Sequence, residues 1–272
     1  MPLILLAALF GVLEGVTEWL PISSTGHLIL MNRFVCFPVR PAFFELFQVA
    51  IQLGAILAVV VLYAGRLNPL CRTKTLRERA DTWCLWAKVV IAVLPSALVG
   101  LLLDDLLDTY LYRPAVVAAM LIVYGVAFVL LRTPPRSAVM VLGAYDIGYG
   151  TAFLIGCFQL LSLVPGTSRS GATVLGGLLL GLSRTAAAEF SFFLAIPTML
   201  GATLLKTAKF FLAGDRLLAN EWAMLGAGML SAFFVSLLVI RTLLDFVKRH
   251  SFAAFGVYRI VLGIAVLAVL IF

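Results

Sequence analysis

Gly11-Val-Leu-Glu-Gly-Val-Thr-Glu-Trp-Leu-Pro-Ile-Ser-Ser-Thr-Gly-His-Leu28 lies in a run apolar enough to enter a lipid bilayer, yet it carries Glu14, Glu18, Ser23, Ser24, Thr25 and His27. Polar residues at that density are costly inside hydrocarbon, and a carboxylate at membrane depth marks a functional site by default.

A second stretch answers the first: Gly156-Cys-Phe-Gln-Leu-Leu-Ser-Leu-Val-Pro-Gly-Thr-Ser-Arg-Ser-Gly-Ala-Thr173. At a constant offset Gly11 falls on Gly156, Glu14 on Gln159, Thr17 on Ser162, Ser23 on Ser168, Thr25 on Ser170 and Gly26 on Gly171; only the proline slips. The register persists to Ala50-Ile51, which falls on Ala195-Ile196. The chain therefore reads as two related halves, and such repeats commonly share a site at their interface near the bilayer midplane.

Hydrophobic residues make up 63% of the chain and charged residues 12%, against roughly 45–50% and 25% in soluble domains. That composition defines an integral membrane protein. Helices are the spanning element to expect, because each satisfies its own backbone hydrogen bonds away from water. The net charge of +7 reflects basic loops rather than a nucleic-acid surface. Cys36, Cys71, Cys84 and Cys157 form no CxxC pair, so neither a disulfide framework nor a zinc site is expected. Only His27 and His250 are present, which argues against a multi-histidine metal site. Met1-Pro-Leu lacks a basic n-region, so no cleaved leader is expected.

Taken in order, residues 3-20 form an apolar helix stopped at Pro21, and a shorter piece follows the Ser-Ser-Thr-Gly turn to Phe34. Neither reaches the ~20 residues of a full crossing. Together they read as a re-entrant helix-loop-helix over 3-34, tolerated where its irregular backbone is buried in protein. Pro38 and Pro41 mark a surface turn, and a crossing follows at about 43-63, containing Glu45, Gln48 and Gln52. The segment 64-82 carries Arg66, Arg72, Lys74, Arg77 and Arg79, which makes it cytoplasmic by the positive-inside rule.

Further crossings are expected at about 84-103 and 114-131, with Asp104, Asp105, Asp108 and Arg113 in the loop between, and Arg132 and Arg136 in the next cytoplasmic loop. A second re-entrant unit covers 150-182. Crossings at about 187-206, kinked by Pro197, at 222-241 and at 254-271 complete the chain. The result is an all-α membrane protein, one domain over 1-272, with six transmembrane helices and two re-entrant hairpins. Repeat 1 covers about 1-131 and repeat 2 about 145-272, and the loop charges give the two an inverted topology with both termini outside.

Glu14 and Glu18 share one helix face. Two carboxylates held close in low dielectric need a cation, a shared proton or an arginine. A magnesium or calcium ion suits them, and magnesium characteristically bridges one or two carboxylates to phosphates. In the second motif Ser168-Arg169-Ser170 precedes a half-helix and Thr173 lies in its first turn. Helix-start amides and a guanidinium fork form a phosphate cradle, unless Ser168 or Ser170 serves only as a cap. His27 stands within reach of the serine hydroxyls by spacing, as general base or nucleophile. Glu45 and Asp146 are secondary candidates, equally readable as interfacial structural charges, and His250 lies in a basic loop.

Glu14-Gly-Val-Thr-Glu18-Trp-Leu-Pro-Ile-Ser-Ser-Thr-Gly-His27 and Pro165-Gly-Thr-Ser-Arg-Ser-Gly-Ala-Thr173 closely resemble the two signature motifs of the undecaprenyl-pyrophosphate phosphatases, the bacitracin-resistance family. The likeness extends through Phe44-Glu45, Gln52-Leu-Gly-Ala55, Gly181-Leu-Ser-Arg184 and Glu189-Phe-Ser-Phe192 and covers essentially the whole chain. It implies a bacterial cytoplasmic-membrane phosphatase, its site opening to the outer (periplasmic) face, that hydrolyses undecaprenyl pyrophosphate and so recycles the lipid carrier for peptidoglycan and other envelope polymers. Carried onto this sequence, Glu14 and Glu18 bind a divalent cation, Ser168, Arg169, Ser170 and Thr173 hold the pyrophosphate beside Ser23 and Thr25, and Ser24 or His27 attacks the terminal phosphorus. The partners implied are the polyprenyl pyrophosphate and the bilayer, and a homodimer is compatible with the chain.

Two rival readings stand beside this one. Inverted repeats with broken helices and an anion site also describe a polyprenyl-phosphate transporter or flippase. An intramembrane serine hydrolase using Ser24 and His27 would leave the paired glutamates and Arg169 without a role.

Overall fold

The computed structural model describes residues 2–111, 113–131 and 143–271, without the side chains of 104, 105, 107–109, 270 and 271. Arg132, Arg136 and the prolines between them lie outside the described residues.

The regular elements are helices, with no β-strand among the described residues. The first stretch folds as α1 (Leu3–Thr17) and α2 (Ser24–Val35), separated by an irregular turn. α3 (Pro41–Leu62) follows, then the single turn α4 (Ala64–Leu67), α5 (Leu76–Leu111) and α6 (Pro114–Leu130). The second stretch repeats the pattern in α7 (Tyr149–Leu160), a short 3₁₀ turn and α8 (Arg169–Leu179). α9 (Arg184–Leu212), α10 (Ala219–Arg249) and α11 (Ala253–Ile271) complete the fold.

Several boundaries differ from expectation for local reasons. Pro41 does not sit in a turn but opens α3 at its first position, where its missing N–H costs nothing. α5 begins well before residue 84 because Thr75 and Glu78 form a reciprocal cap: the Thr75 amide donates to Glu78 Oε2 (2.7 Å) and the Glu78 amide to Thr75 Oγ1 (3.3 Å). At its other end α5 carries the backbone of Asp104, Asp105 and Asp108 as helix rather than loop. Pro197 lies inside α9 as anticipated, and Pro95 lies inside α5.

Four helices are long and apolar enough to cross a membrane: Pro41–Leu62, Leu76–Leu103, Arg184–Leu212 and Ala219–Arg249. Leu3–Thr17, Pro114–Leu130, Tyr149–Leu163 and Ala253–Val269 are shorter apolar helices. Hydrophobic residues face outward, as on α10, where Leu230, Phe234 and Leu238 are 59%, 60% and 67% exposed. An apolar stripe of that kind needs lipid against it.

The packing is crossed between the halves: α1 lies on α10 and α7 on α5, while α3 packs on both α9 and α10, and α6 on α11. Lipid removes the hydrophobic drive between such helices, so close backbone approach holds them together. Gly11 lets α1 meet the backbone of Gly228, and Gly156 lets α7 meet that of Ala92; a Cβ at either glycine would overlap the opposing carbonyl. These two glycines are the pair that the repeat superposes.

Candidate functional site

The interior is polar where the two broken helices meet. Glu14, Glu18, Ser23, Ser24, Ser170, Thr173, Ser191 and Arg259 are all buried. Both turns reverse sharply at a serine with positive φ, Ser23 at 71° and Ser168 at 69°. Non-glycine residues rarely adopt that conformation, and it concentrates at functional sites. Each of these serines immediately precedes a half-helix, so the following amides point back into the space between the turns.

α1 presents Glu14 inward, and Glu18 caps its last turn. Glu18 is shared between the halves: its Oε1 accepts from Arg169 Nη2 at 2.9 Å and its Oε2 from Ser24 Oγ at 3.1 Å. Arg169 and Glu18 side chains are only 8% and 6% exposed, which makes this a buried ion pair. Arg169 Nη1 also donates to the carbonyl oxygen of Ser191 (2.7 Å), and the guanidinium lies over the Trp19 ring. The Ser191 and Thr173 hydroxyls are 2.7 Å apart. Ser170 Oγ reaches the Glu18 carbonyl oxygen at 3.1 Å, tying the second turn to the first.

Glu14 stands apart from this network. Both of its oxygens are buried and accept no hydrogen bond, and its polar neighbours are Glu18, Gln52 and Arg169. Ser23 Oγ is likewise buried without a partner. Unpaired oxygens in such surroundings are costly. A hard cation relieves them, and two carboxylates with an amide oxygen are the donor types magnesium or calcium takes. Among the described residues no group of three or more His, Cys, Asp or Glu that could hold a metal is present. A cation held by these donors would have to share its remaining positions with phosphate or water.

His27 is engaged elsewhere. Its Nδ1 lies 2.8 Å from the Ser23 carbonyl oxygen, so it carries the proton and donates, and Nε2 accepts from the Tyr258 hydroxyl at 2.7 Å. The two rings also stack. The structure thus places Glu18, rather than His27, against the Ser24 hydroxyl. Ser168 caps α8, its Oγ accepting from the Gly171 amide at 3.2 Å. Thr25 borders a cavity of about 370 Å³ with Glu45, Gln48, Gln52 and Lys206. An adjoining space of about 740 Å³ shares Leu28, Glu45 and Gln48 and continues past Ile29, Leu30 and Val266. Asp146 borders a separate cavity with Arg66, Lys74 and Arg77. His250 stacks on Phe246 at the end of α10.

Four contributors had no role in the sequence reading. Gln52 and Ser191 lie in segments that matched the resemblance without chemistry attached to them. Tyr258 and Arg259 are remote from both motifs in sequence, and only the tertiary packing of α11 brings them in.

A helical membrane protein whose two broken helices join carboxylates, an arginine and hydroxyls at a buried centre is built to handle an anionic head group. Residues 7–265 match the family described as bacitracin resistance protein BacA, and the chain belongs to that family. It is similar to the undecaprenyl-diphosphatase of Lactiplantibacillus plantarum, 53% identical over 266 residues that cover 96% of this chain and 95% of that one. The undecaprenyl-diphosphatase of Streptococcus mutans is 54% identical, with 97% and 95% covered. That of Streptococcus thermophilus is 53% identical, with 97% and 92% covered.

Proposed function

We propose that the protein hydrolyses undecaprenyl pyrophosphate to undecaprenyl phosphate and inorganic phosphate, recycling the lipid carrier of envelope polymers and conferring bacitracin resistance. The observation that carries this is the Glu18 carboxylate, bonded at once to Ser24 of the first broken helix and to Arg169 of the second. Phosphoryl transfer needs a positioned nucleophile and cationic stabilisation of the phosphate oxygens, and this junction holds both.

Ser24 is the nucleophile the geometry favours. Its Oγ attacks the terminal phosphorus, its proton passes to Glu18 Oε2, and the bridging P–O bond breaks to release undecaprenyl phosphate. Glu18 gives that proton to the departing undecaprenyl phosphate; water then attacks the phosphoserine phosphorus and passes a proton to Glu18, the P–Oγ bond breaks, Glu18 returns the proton to Ser24 Oγ, and inorganic phosphate leaves. Once substrate enters, Arg169 exchanges its contact with the Ser191 carbonyl for phosphate oxygens. Ser23, Thr25, Ser168, Ser170, Thr173 and the α8 amides line the other side of the head group. His27, bonded to the Ser23 carbonyl oxygen and the Tyr258 hydroxyl, fixes the start of α2. Glu14 and Glu18, with Gln52 beside them, would hold a magnesium or calcium ion, which would supply charge neutralisation for the pyrophosphate.

The finer architecture belongs to the same reading. α1 with α2 and α7 with α8 are two re-entrant hairpins, and α3, α5, α6, α9, α10 and α11 are six crossings. What supports this is the shortness of the hairpin helices and the exchange of packing partners, α1 on α10 and α7 on α5, which two inverted repeats over about 1–131 and 145–272 require. Arg66, Arg72, Lys74, Arg77 and Arg79 lie on the cytoplasmic side, and the site opens to the outer face of the cytoplasmic membrane. The 740 Å³ space bordered by Leu28, Ile29, Leu30 and Val266 admits the first prenyl units.

The test is inorganic phosphate release from a long-chain polyprenyl pyrophosphate by detergent-purified protein, with and without chelator. Metal-dependent release is the expected result. A folded sample that binds the lipid and releases no phosphate would make it a carrier instead.

A further inference from the structure

Arg259 is completely buried in α11, far in sequence from both motifs. Its Nη1 donates to the Pro21 carbonyl oxygen at 3.0 Å, in the turn of the first broken helix. Its Nη2 donates to the carbonyl oxygens of Gly166 and Thr167, both at 2.8 Å, in the turn of the second. The guanidinium also lies over the Tyr124 ring of α6. Among the described residues no carboxylate pairs with it. Carbonyls in irregular backbone at membrane depth must find donors, and here one side chain serves three of them across two turns.

The approach has its own accommodation. Gly166 adopts φ +93°, a conformation that favours glycine, and a Cβ there would overlap the Val117 carbonyl oxygen of α6. Gly171 has no Cβ, and one built there would stand 3.0 Å from Arg259 Nη1. The preceding residue, Tyr258, holds His27 through its hydroxyl. One turn of α11 therefore touches both halves of the site.

We propose that Arg259 is a positioning residue for the reaction: by bonding both turns it fixes the separation between Glu18 and Ser24 on one side and Arg169 on the other. A lysine retains the charge but has no fork, so it cannot bond both turns at once.

This inference rests on the phosphatase reading, and the experiment separates the two. Phosphate release is measured for the parent, Arg259→Gln, Arg259→Lys and Gly171→Ala, each checked for thermal midpoint and monodispersity in detergent and assayed well below that midpoint. A parent without release refutes the reaction itself. With an active parent, Arg259→Gln is expected to lose about 100-fold in kcat with KM changed by less than about threefold, since the misplacement falls on reacting groups. Arg259→Lys should recover no more than about a tenth of the parent rate, and Gly171→Ala should lose several-fold with the guanidinium still present. Parent-like kcat in folded Arg259→Lys overturns the proposal, even where Arg259→Gln fails to fold. So does a loss in KM alone, which would mark a binding role only.

Discussion

Replacing Glu18 by glutamine tests the junction between the two broken helices most directly. The carboxylate accepts one charged bond from Arg169 at 2.9 Å and one hydroxyl bond from Ser24 at 3.1 Å. An amide keeps one acceptor, which stays with Arg169, and turns its NH₂ toward Ser24, which must reverse and accept. Breaking a buried ion pair by removing one charge costs about 3–5 kcal/mol, and the surviving neutral bond places this case at the lower end. Relief of the like-charge contact with Glu14 offsets part of that, leaving about 2 kcal/mol of destabilisation. For a chain of this length that is a fall of about 4–8 °C in thermal midpoint. The catalytic loss is larger, because Ser24 Oγ no longer faces a proton acceptor: kcat should drop by about 10²–10⁴-fold. Both quantities come from one preparation, the midpoint by intrinsic fluorescence in detergent and the rate by phosphate release across a magnesium titration. A folded variant with kcat within about threefold of the parent would refute the Ser24–Glu18 pair and return the nucleophile's base to His27.

Four further outcomes are expected. Arg169→Ala should lose most turnover, about 10²-fold or more, read as phosphate release; near-parent kinetics would remove Arg169 from phosphate binding. Glu14→Gln should raise the thermal midpoint in chelator, because a buried unpaired carboxylate becomes a neutral amide, while abolishing the shift that added magnesium gives the parent; an unchanged magnesium shift would argue against a cation at Glu14. Arg77→Ala, beside the separate cavity around Arg66 and Asp146, should leave kcat within about twofold of the parent, and a large loss would place the basic loop on the site's own face. Arg40→Ala should lower the thermal midpoint with no change in kcat, since Arg40 joins the partly exposed Asp215 to the buried Glu221; a parent-like midpoint would show that the cluster contributes nothing.

The helices were legible because hydrophobic runs of spanning length announce themselves, and the two breaks were legible because Pro21 and Pro165 sit beside clustered hydroxyls. The internal repeat made Glu14, Ser23, Thr25, Ser168 and Ser170 stand out, while Glu18 stood out by its spacing from Glu14 and Arg169 by its place before the half-helix. What could not be read was which of these would meet. Spacing alone put His27 near Ser24, but the left-handed turn at Ser23 rotates the start of α2 so that Ser24 faces back to Glu18 and His27 faces α11. Arg259 left no local signal either: an isolated arginine in an apolar helix resembles a snorkelling residue until packing reveals three carbonyls around it. The long extension of α5 was hidden for a different reason, since a short capping box counted for less than the basic residues around it.

The repeat also explains why the centre is one-sided. Gln159 occupies the position in the second half that Glu14 occupies in the first, and both are fully buried. The amide nitrogen of Gln159 donates to Ser96 Oγ of the first half at 2.6 Å and to Thr198 Oγ1 of its own half at 3.3 Å, so its donors are satisfied by neutral hydroxyls. Glu14 accepts nothing and borders Glu18, Gln52 and Arg169 instead. Two halves with the same backbone break thus differ in charge at three aligned positions, Glu14 against Gln159, Glu18 against Leu163 and Ser24 against Arg169, and in the proposed reading the two glutamates are what would recruit a cation. The second half contributes the complementary sign through Arg169, whose counterpart in the first is Ser24. A hydroxyl beside a carboxylate facing a guanidinium is an arrangement neither repeat could supply from its own turn, so the proposed reaction centre requires the two to interlock.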